Sequence, residues 1–156
     1  MRKKIRLAED TYNREHVFYL TACTQGRRRW FSDFPNLAQA CEDDIRGLAQ
    51  DRHSDLFAWC VMPDHVHVLL RDRDPVAYMR RLKGSLTKSA RVSQAGPGLW
   101  QRSFFDRALR GEESIQEVAR YIWANPVRAG LVDNPSEYPW SGSLAWPGWR
   151  EEYGRG

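Results

Sequence analysis

The sequence predicts an α+β fold in which helices pack on an antiparallel sheet. Short segments rich in β-branched and aromatic residues alternate with longer segments whose apolar residues recur every three or four positions. The apolar run from Leu56 to Leu70 is interrupted by Pro63, which favours two antiparallel strands or one sharply bent strand. With 156 residues, the chain fits a single domain.

The first half of the chain shows the clearest elements. A strand is predicted over residues 17–23, VFYLTAC, which end shortly before Gly26. An amphipathic helix begins after Pro35 and ends near Arg52. A second helix contains Val76 and Ala90 in its apolar stripe and carries arginine and lysine on its other faces, followed by a turn at residues 94–98.

The second half is less regular. Residues 99–109 are rich in aromatic residues and arginine and could supply another strand pair. A third helix is predicted to begin at Glu112, Glu113 and Ser114, because acidic residues favour the first turn, and to end near Asn125, which precedes a proline. From residue 126 onward we expect mostly extended or turn structure, with a tail rich in proline and tryptophan from about residue 133.

Composition favours an anionic partner and argues against a membrane protein. The net charge of +4 and the pI of about 9.1 suit a polyanion such as nucleic acid. No apolar run approaches the roughly 20 residues that a membrane span needs. The first ten residues lack the apolar stretch of a secretory signal, so we expect a cytoplasmic, nucleoid-associated location. Cys23, Cys41 and Cys60 are odd in number and widely spaced, which predicts buried thiols.

A histidine pair is the first candidate for chemistry. His65 and His67 lie two residues apart in a strand-like run, so both imidazoles should point to one face. Val66, Val68 and Leu70 would then face the core. A His-x-His pair alone is weak evidence, because such residues are more often surface or core histidines than metal ligands.

A tyrosine and an asparagine on the third helix form the second candidate. Tyr121 and Asn125 are four residues apart, so a helix places them one above the other. Taken alone, such a pair is more often a boundary tyrosine and a C-terminal asparagine before proline than a functional site.

Four segments resemble those of a known family. They are residues 62–70 (MPDHVHVLL), 100–107 (WQRSFFDR), 121–132 (YIWANPVRAGLV) and 139–141 (PWS). In this order and spacing the chain resembles the HUH single-tyrosine transposases, and among them the REP-associated tyrosine transposases, from Phe18 to Ser143.

The resemblance implies a fold, a reaction and a set of site residues. It implies a single HUH tyrosine transposase domain over residues 1–156, with a ferredoxin-like antiparallel sheet. His65, His67 and Asn125 would bind a divalent metal, Mg or Mn, and Tyr121 would be the nucleophile. The reaction would nick and rejoin single-stranded DNA at short palindromic hairpins through a 5′-phosphotyrosine, in a monomer or a homodimer.

Contacts to DNA are predicted from charge and aromatic character. Arg107, Arg110 and Arg128 could assist the tyrosine, which is a poor nucleophile at neutral pH. Trp140, Trp146 and Trp149 could stack on bases or pack the tail. The remaining candidates for phosphate contacts are Arg27, Arg28, Arg29, Lys83, Lys88 and Arg91.

Two other functions remain open at this point. In an unrelated metal-dependent hydrolase, His65 and His67 would join His16, His53 or Asp64 around zinc and activate water. A DNA-binding module without cleavage would bind hairpins but form no covalent adduct. Replacement of Tyr121 separates these readings from a tyrosine transposase.

Overall fold

The computed structural model describes residues 16–92, 98–110 and 113–153, and of residues 91 and 92 it describes the backbone alone. The predictions for residues 1–10, for the turn at 94–97 and for Glu112 therefore lie outside the described residues. Over the described ranges, every helix is too short or too polar to cross a bilayer.

Five strands, six helices and two 3-10 turns make up the described chain. In chain order they are β1 (Val17–Cys23), a 3-10 turn (Gln25–Arg27), α1 (Trp30–Asp33), α2 (Pro35–Asp51), β2 (Asp55–Met62), β3 (His65–Arg71), α3 (Pro75–Val92), β4 (Phe105–Ala108), α4 (Ile115–Trp123), α5 (Asn125–Arg128), a 3-10 turn (Pro135–Glu137), β5 (Ser141–Gly142) and α6 (Trp149–Tyr153). The elements β1, α2, β2, β3 and α3 lie where the sequence predicts them.

The strands form one antiparallel sheet in the order β4-β1-β3-β2-β5. The order of the first four strands, with α2 after β1 and α3 after β3, is that of the ferredoxin-like βαββαβ unit. The predicted α+β class and the ferredoxin-like antiparallel sheet are thus confirmed.

The hairpin of β2 and β3 determines where the histidines lie. Met62 pairs with His65, so Pro63 and Asp64 form the turn, where the missing N–H of proline costs no ladder hydrogen bond. At the other end of the same hairpin, Asp55 pairs with Arg71. The interruption in the apolar run is therefore a tight turn between two strands.

Each face of the sheet is covered by a separate apolar cluster. On one face Val66, Val68 and Leu70 pack with residues of α1, α2 and α3. On the other face Ala119, Ile122 and other residues of α4 pack against β2 and the C-terminal segment. The three cysteines are buried free thiols, as predicted. The helix that carries Tyr121 therefore lies on the face to which His65 and His67 point.

One prediction about the second half needs correction. Residues 99–109 contribute one strand, β4, and not a strand pair, because the chain before β4 forms only an isolated bridge, between Trp100 and Thr24 just after β1, and no second strand. The third helix ends at Trp123, close to the predicted end near Asn125, and the separate helix α5 begins at Asn125, because Pro126 has no N–H to donate to the carbonyl of Ile122. The C-terminal segment consists mostly of turn and extended structure, as predicted, and also contains short helices.

The C-terminal segment is an integral part of the sheet and its core. Residues predicted as mostly extended or turn include the short helices α5 and α6 and the edge strand β5, which pairs with β2. The ring of Trp149 stacks on Trp123 of α4 with centroids 4.5 Å apart. Arg150 donates to the carbonyls of Ser136, Tyr138 and Ser141 at 2.7–2.9 Å. The stacking of Trp149 joins the segment to α4, and the Arg150 hydrogen bonds join its parts to one another, which the sequence pattern alone does not indicate.

Candidate active site

The two candidate ligand histidines lie side by side on β3. The centroids of the His65 and His67 rings are 4.7 Å apart, and the ring planes are close to perpendicular. Both side chains leave the same face of the strand, because residues two apart share a face. Val66 and Val68 are fully buried on the opposite face. The strand therefore brings the imidazoles together as their spacing predicts.

Each imidazole is held by a hydrogen bond at its Nδ1 atom. Nδ1 of His65 lies 2.7 Å from Oδ1 of Asp64, and Nδ1 of His67 lies 2.9 Å from Oγ1 of Thr21 on β1. An ionised carboxylate can only accept, so His65 donates from Nδ1 and keeps a lone pair on Nε2. Thr21 can accept the Nδ1 proton of His67 and leave its Nε2 free in the same way.

Asp64 is itself fixed by an arginine from the loop after β1. Nε of Arg27 donates to Oδ2 of Asp64 at 3.0 Å. Arg27 has a φ of 55°, and Gly26 before it has a φ of 64°. The left-handed region costs a non-glycine residue about 1 kcal/mol or more, whereas glycine adopts it freely. The strained turn at Arg27 places its guanidinium beside the Asp64 carboxylate.

Burial keeps the histidines neutral. Desolvation lowers the pKa of His67 to about 3, with further contributions from His65, Arg128 and Arg27. Desolvation also lowers the pKa of His65 and outweighs the Asp64 carboxylate, which raises it. Burial alone would raise the pKa of Asp64, but hydrogen bonds from His65 and Arg27 lower it on balance. At neutral pH the site therefore presents two neutral imidazoles and one ionised carboxylate.

Asn125 comes from a distant part of the sequence to the same place. Its amide Nδ2 lies 3.3 Å from Nε2 of His65. Asn125 is the first residue of α5, and the buried Pro126 follows it. Proline suits the first turn of a helix, because the N–H that it lacks would have no partner within the helix there. The lone pair that Asp64 leaves on Nε2 thus points at the Asn125 side chain.

A series of contacts connects Tyr121 to this group. The Arg128 guanidinium carbon lies 3.8 Å from the Tyr121 ring centroid, and Nη2 of Arg128 lies 3.4 Å from Oδ1 of Asn125. Tyr121 lies on α4, and 55% of its surface is exposed, the largest fraction among the large hydrophobic side chains of the described residues. The hydroxyl-bearing ring is therefore exposed to solvent and connected through Arg128 and Asn125 to His65.

The chemistry of these donors fits a divalent ion. Among the described residues, no group of three or more His, Cys, Asp or Glu side chains could hold a metal. A site here would instead need two imidazoles and an amide, namely His65, His67 and Asn125. The two imidazoles have their Nδ1 atoms engaged, which is the usual arrangement of metal-binding histidines, with the second nitrogen bonded to a carboxylate or hydroxyl.

A cleft adjoins the histidines on the β4 side. Its volume is about 400 Å³, and its walls are Tyr19, Thr21, Phe105, Asp106 and Arg107. Its Tyr19 wall meets the site, since the centroids of the Tyr19 and His67 rings are 5.3 Å apart. Burial raises the pKa of Tyr19 to about 12, with Tyr121 adding to the effect, so this phenol stays protonated and can donate.

Sequence reasoning did not assign supporting roles to Tyr19, Thr21, Asp64 and Arg27. Tyr19 and Thr21 could have been found from alternation, because they share one face of β1 and β1 pairs with β3 at His67. Asp64 could have been found from its place directly before His65. The Arg27–Asp64 contact joins residues 37 apart through a left-handed turn, and no local pattern signals it.

The predicted DNA contacts fall into three groups. Arg28, Arg29 and Lys88 are exposed, and so is Arg110, whose backbone N–H donates to Glu113. Lys83 and Arg107 are already bonded, Lys83 to the Gln101 carbonyl at 2.8 Å and Arg107 to both carboxylate oxygens of Glu113 at 2.8 and 2.9 Å. Arg27 and Arg128 belong to the site itself. Arg91 lies in α3, but its side chain is outside the described part of the chain.

The tail tryptophans mainly pack. Trp149 is buried against Trp123, and Trp146 lies 6.1 Å from the same ring between centroids. Trp140 is partly buried and contacts both apolar clusters. Little ring surface of Trp149 therefore remains for stacking on a base.

The ligand set of the alternative hydrolase is not assembled. His16 precedes Val17, which pairs with Arg71, so His16 lies at the far end of the sheet from His65. His53 lines a different cavity, of about 380 Å³, at that same far end. Asp64 contacts the Nδ1 side of His65 and not the Nε2 side. Only the histidine pair of that set shares one point.

The structure has a ferredoxin-like sheet, and a histidine pair on this sheet faces a helix-borne tyrosine and asparagine. The HUH resemblance implies this arrangement. The model of the family described as "Transposase IS200 like" matches residues 13–125, which is more than two thirds of the chain. The chain belongs to this family.

Two curated relatives carry a more specific description. A REP-associated tyrosine transposase of Escherichia coli is 29% identical over 98 residues, which span 60% of this chain and 57% of the relative. A Haemophilus influenzae protein, provisionally described in the same terms, is 29% identical over 140 residues, or 80% of this chain and 78% of the relative. The chain thus matches little more than half the length of the first of these relatives.

Two solved structures share the fold. A structure described as the REP-associated tyrosine transposase bound to a REP hairpin superposes with a TM-score of 0.69 and 23% identity, covering 90% of this chain and 82% of that one. A transposase-like protein from Deinococcus radiodurans gives a TM-score of 0.51 and 24% identity, covering 78% of this chain and 95% of that one. At these identities the likeness concerns the fold.

Proposed function

We propose that this protein nicks and rejoins single-stranded DNA at short palindromic hairpins of the REP type, with Tyr121 as the nucleophile and His65, His67 and Asn125 holding Mg²⁺ or Mn²⁺. One observation carries the proposal. Asn125 and His65 are 60 residues apart, yet their side-chain nitrogens lie 3.3 Å from each other, and Arg128 connects Asn125 to the exposed Tyr121.

The reaction follows from the functional groups. The Tyr121 oxygen attacks phosphorus, the bond from phosphorus to the 3′ oxygen breaks, and the electron pair leaves with that oxygen, which takes up a proton. The Tyr121 proton passes to solvent. The products are a 5′-phosphotyrosine and a free 3′-hydroxyl, and attack by a 3′-hydroxyl reverses the step. The covalent bond preserves the energy for rejoining, so no nucleotide cofactor is required.

The histidines and Asn125 contribute by their arrangement. A divalent ion, when bound, would act as a Lewis acid on the phosphoryl oxygens. Neutral His65 and His67 would present Nε2 lone pairs to it, since their Nδ1 atoms are engaged by Asp64 and Thr21. Imidazole ligands suit manganese better than magnesium, whereas cellular abundance favours magnesium.

The proposed hairpin substrate is inferred from the charge of the surface and from the relatives. A solved relative is described as bound to a REP hairpin, and this chain covers 82% of that structure. Exposed arginines in the loop after β1 and exposed Lys88 on α3 are suited to phosphate contacts. The cleft beside His67, with aromatic walls and a guanidinium, is suited to unpaired nucleotides.

The decisive experiment replaces Tyr121 by phenylalanine. The change removes one oxygen from an exposed side chain, so the fold should persist while the nucleophile is lost. The parent protein, incubated with Mn²⁺ and a hairpin oligonucleotide with single-stranded flanks, should form an adduct stable in denaturing gels. Tyr121→Phe should bind the oligonucleotide with parental affinity and form neither adduct nor cleaved strand.

A matched control is Tyr153→Phe. The Tyr153 ring also lies beside an arginine, with its centroid 4.4 Å from the Arg120 guanidinium carbon, but Tyr153 belongs to α6. Its replacement should therefore leave cleavage unchanged. Cleavage by Tyr121→Phe at the parental rate would indicate a metal-activated water and refute the proposal. Absence of cleavage by both proteins, with tight binding, would favour a DNA-binding module. Mass spectrometry of the trapped peptide would identify the tyrosine.

A further inference from the structure

The helix that carries Tyr121 is interrupted before Asn125. Helix α4 ends at Trp123, Ala124 lies between the helices, and α5 begins at Asn125. Pro126 cannot donate to the carbonyl of Ile122, so one hydrogen bond that would join the two helices is missing. The relative position of Tyr121 and Asn125 is therefore not fixed by an unbroken helical backbone, although both belong to one site.

Arg128 spans this interruption. Its guanidinium carbon lies 3.8 Å from the centroid of the Tyr121 ring, which is the closest cation–π contact among the described residues. Its Nη2 atom lies 3.4 Å from Oδ1 of Asn125, at the long end of hydrogen-bond distances. The amide oxygen has two lone pairs, so accepting from Arg128 leaves one for another partner. One side chain thus touches both the tyrosine ring and the asparagine amide.

The charge of Arg128 is available for this purpose. Among the described residues no carboxylate forms an ion pair with Arg128. The other two arginines considered for assisting the tyrosine differ. Arg107 is held by both oxygens of Glu113. Arg110 contacts the same Glu113 through its backbone N–H and, among the described residues, makes no contact with Tyr121 or Asn125. The geometry singles out Arg128.

We infer that Arg128 is a positioning residue that fixes the Tyr121 ring relative to Asn125, so that the tyrosine oxygen and the metal site are directed at the same phosphate. This rests on the proposed function and deepens it. A flat guanidinium can stack on a ring and donate from its edge at the same time, whereas the ammonium group of lysine is a point charge on a flexible stem. The role therefore requires arginine and not merely a positive charge.

The expected consequence is a loss in the bond-breaking step and not in DNA binding. A ring held in the wrong orientation reduces the fraction of bound complexes in which the oxygen is in line with phosphorus. We expect Arg128→Met and Arg128→Lys to lower the single-turnover cleavage rate at saturating oligonucleotide by about tenfold to a hundredfold, with the larger loss for Met. The dissociation constant for the hairpin should change less than about threefold, and its salt dependence should stay parental, because no phosphate contact is lost.

Arg120→Met is the matched control. Arg120 stacks on Tyr153 at 4.4 Å and lies one residue before Tyr121 on α4, so its loss removes a similar contact outside the site. It should leave the single-turnover rate unchanged. Since Arg128 is exposed, its replacement should leave the melting temperature close to the parental value.

A readout independent of DNA and metal tests the contact itself. In the free protein, nuclear Overhauser effects should connect the Tyr121 ring protons to the Arg128 side chain, and the Arg128→Lys variant should show altered Tyr121 ring shifts. Absence of such effects in the parent would overturn the inference.

Three kinetic outcomes would also overturn it. Parental rates in Arg128→Lys would show that charge alone suffices. A weaker hairpin affinity with a smaller salt slope and a parental rate at saturation would make Arg128 a phosphate contact. A parental rate in Arg128→Met would remove any role. If Tyr121→Phe cleaves normally, the proposed function itself fails, whereas an inactive Tyr121→Phe together with a fully active Arg128→Met refutes the positioning role alone.

Discussion

Nδ1 of His65 lies 2.7 Å from Oδ1 of Asp64, the residue immediately before it in the chain. The carboxylate sits in the tight turn between β2 and β3, and Arg27 holds its other oxygen at 3.0 Å. Because His65 donates from Nδ1, its Nε2 lone pair faces Asn125. The orientation of one candidate ligand thus depends on a residue in the turn and on an arginine from the loop after β1.

Replacing Asp64 should weaken metal binding more than it weakens the fold. Asp64→Ala removes the acceptor that orients His65, and loss of such a partner commonly lowers metal affinity by about 10- to 100-fold. Asp64→Asn keeps an acceptor oxygen without the charge and should lose less. Titration of Mn²⁺ followed by electron paramagnetic resonance would measure both. Equal affinities in the parent and Asp64→Ala would contradict this role.

Loss of either histidine should abolish cleavage and leave the fold intact. His65→Ala and His67→Ala remove candidate ligands whose side chains are only partly buried, while Val66 and Val68 keep the core contacts on the other face of β3. Gel assays of strand cleavage with Mn²⁺ present should show no product, and circular dichroism should match the parent.

His53→Asn is a suitable control for the histidine variants. His53 has a φ of 56°, a region that asparagine tolerates better than most residues, and it lines the cavity at the far end of the sheet. This variant should cleave at the parental rate. Normal cleavage by either His65→Ala or His67→Ala would remove the metal-site proposal.

Lys88 tests the basic face of α3 as a DNA surface. Its side chain is exposed, and no ion pair involves it within the described ranges. If it contacts a phosphate, Lys88→Gln should reduce the slope of log affinity against log salt by about 0.7 to 0.9. Fluorescence anisotropy with a labelled hairpin from low to physiological salt would measure the slope.

Arg46→Gln serves as the comparison for Lys88. Arg46 lies on α2 and is paired with Asp43 at 3.0 Å, on a part of the surface rich in acidic residues. Its replacement should leave the slope unchanged. An unaltered slope in Lys88→Gln would assign DNA binding to another surface, such as the loop after β1.

Local periodicity accounts for much of the fold that the sequence predicts. The alternation of β1 and β3 and the helical spacing in α2 and α3 each reflect burial of one face, which a sequence displays directly. The same alternation brings His65 and His67 to one point. The spacing of four residues predicts that Tyr121 and Asn125 lie close together, and both side chains contact Arg128, although the backbone between them is not one helix.

The features that the sequence does not reveal depend on contacts between distant segments. β4 pairs with β1 although about 80 residues separate them in the chain, and Trp149 and Arg150 of the C-terminal segment make contacts that have no periodic pattern. Arg27 reaches Asp64 through an uncommon backbone conformation. Such contacts follow from the assembled fold and not from local preference.

Asp72 should make the protein sensitive to acid. Its carboxylate is buried after β3 and accepts from Arg52 at 2.7 and 3.0 Å, from the Ser54 hydroxyl and from the Asp74 backbone N–H. Burial alone would raise the pKa of Asp72, but these hydrogen bonds lower it on balance. Because the pKa of Asp72 is lower in the folded than in the unfolded state, Asp72 stabilises the fold at pH values above its unfolded pKa, near 3.9. This stabilisation is lost as the pH falls through the folded pKa.

Urea unfolding at pH 7 and at several values from pH 5 to pH 2 would test this. Asp72→Asn should be less stable than the parent at pH 7 and should lose less further stability on acidification. Asp43→Asn, with an exposed carboxylate, should follow the parent curve. Parallel curves for the parent and Asp72→Asn would exclude Asp72 as a source of the acid sensitivity.

Replacement of Trp149 separates packing from DNA stacking in the C-terminal segment. Trp149 is buried, stacks on Trp123 at 4.5 Å and lies under the Arg150 guanidinium, whose carbon is 4.6 Å from its ring. Trp149→Ala should therefore lower the free energy of unfolding by about 3–5 kcal/mol, as truncation of buried aromatic residues does. At about 2–4 °C per kcal/mol for a chain of this size, the melting temperature should fall by roughly 6–20 °C. Trp149→Phe should retain part of the stacking and lose less. Because Trp123 lies two residues from Tyr121, cleavage by Trp149→Ala should also slow at temperatures where the fold persists. A variant with parental melting temperature and weakened hairpin affinity would instead mean that Trp149 leaves the core to stack on DNA.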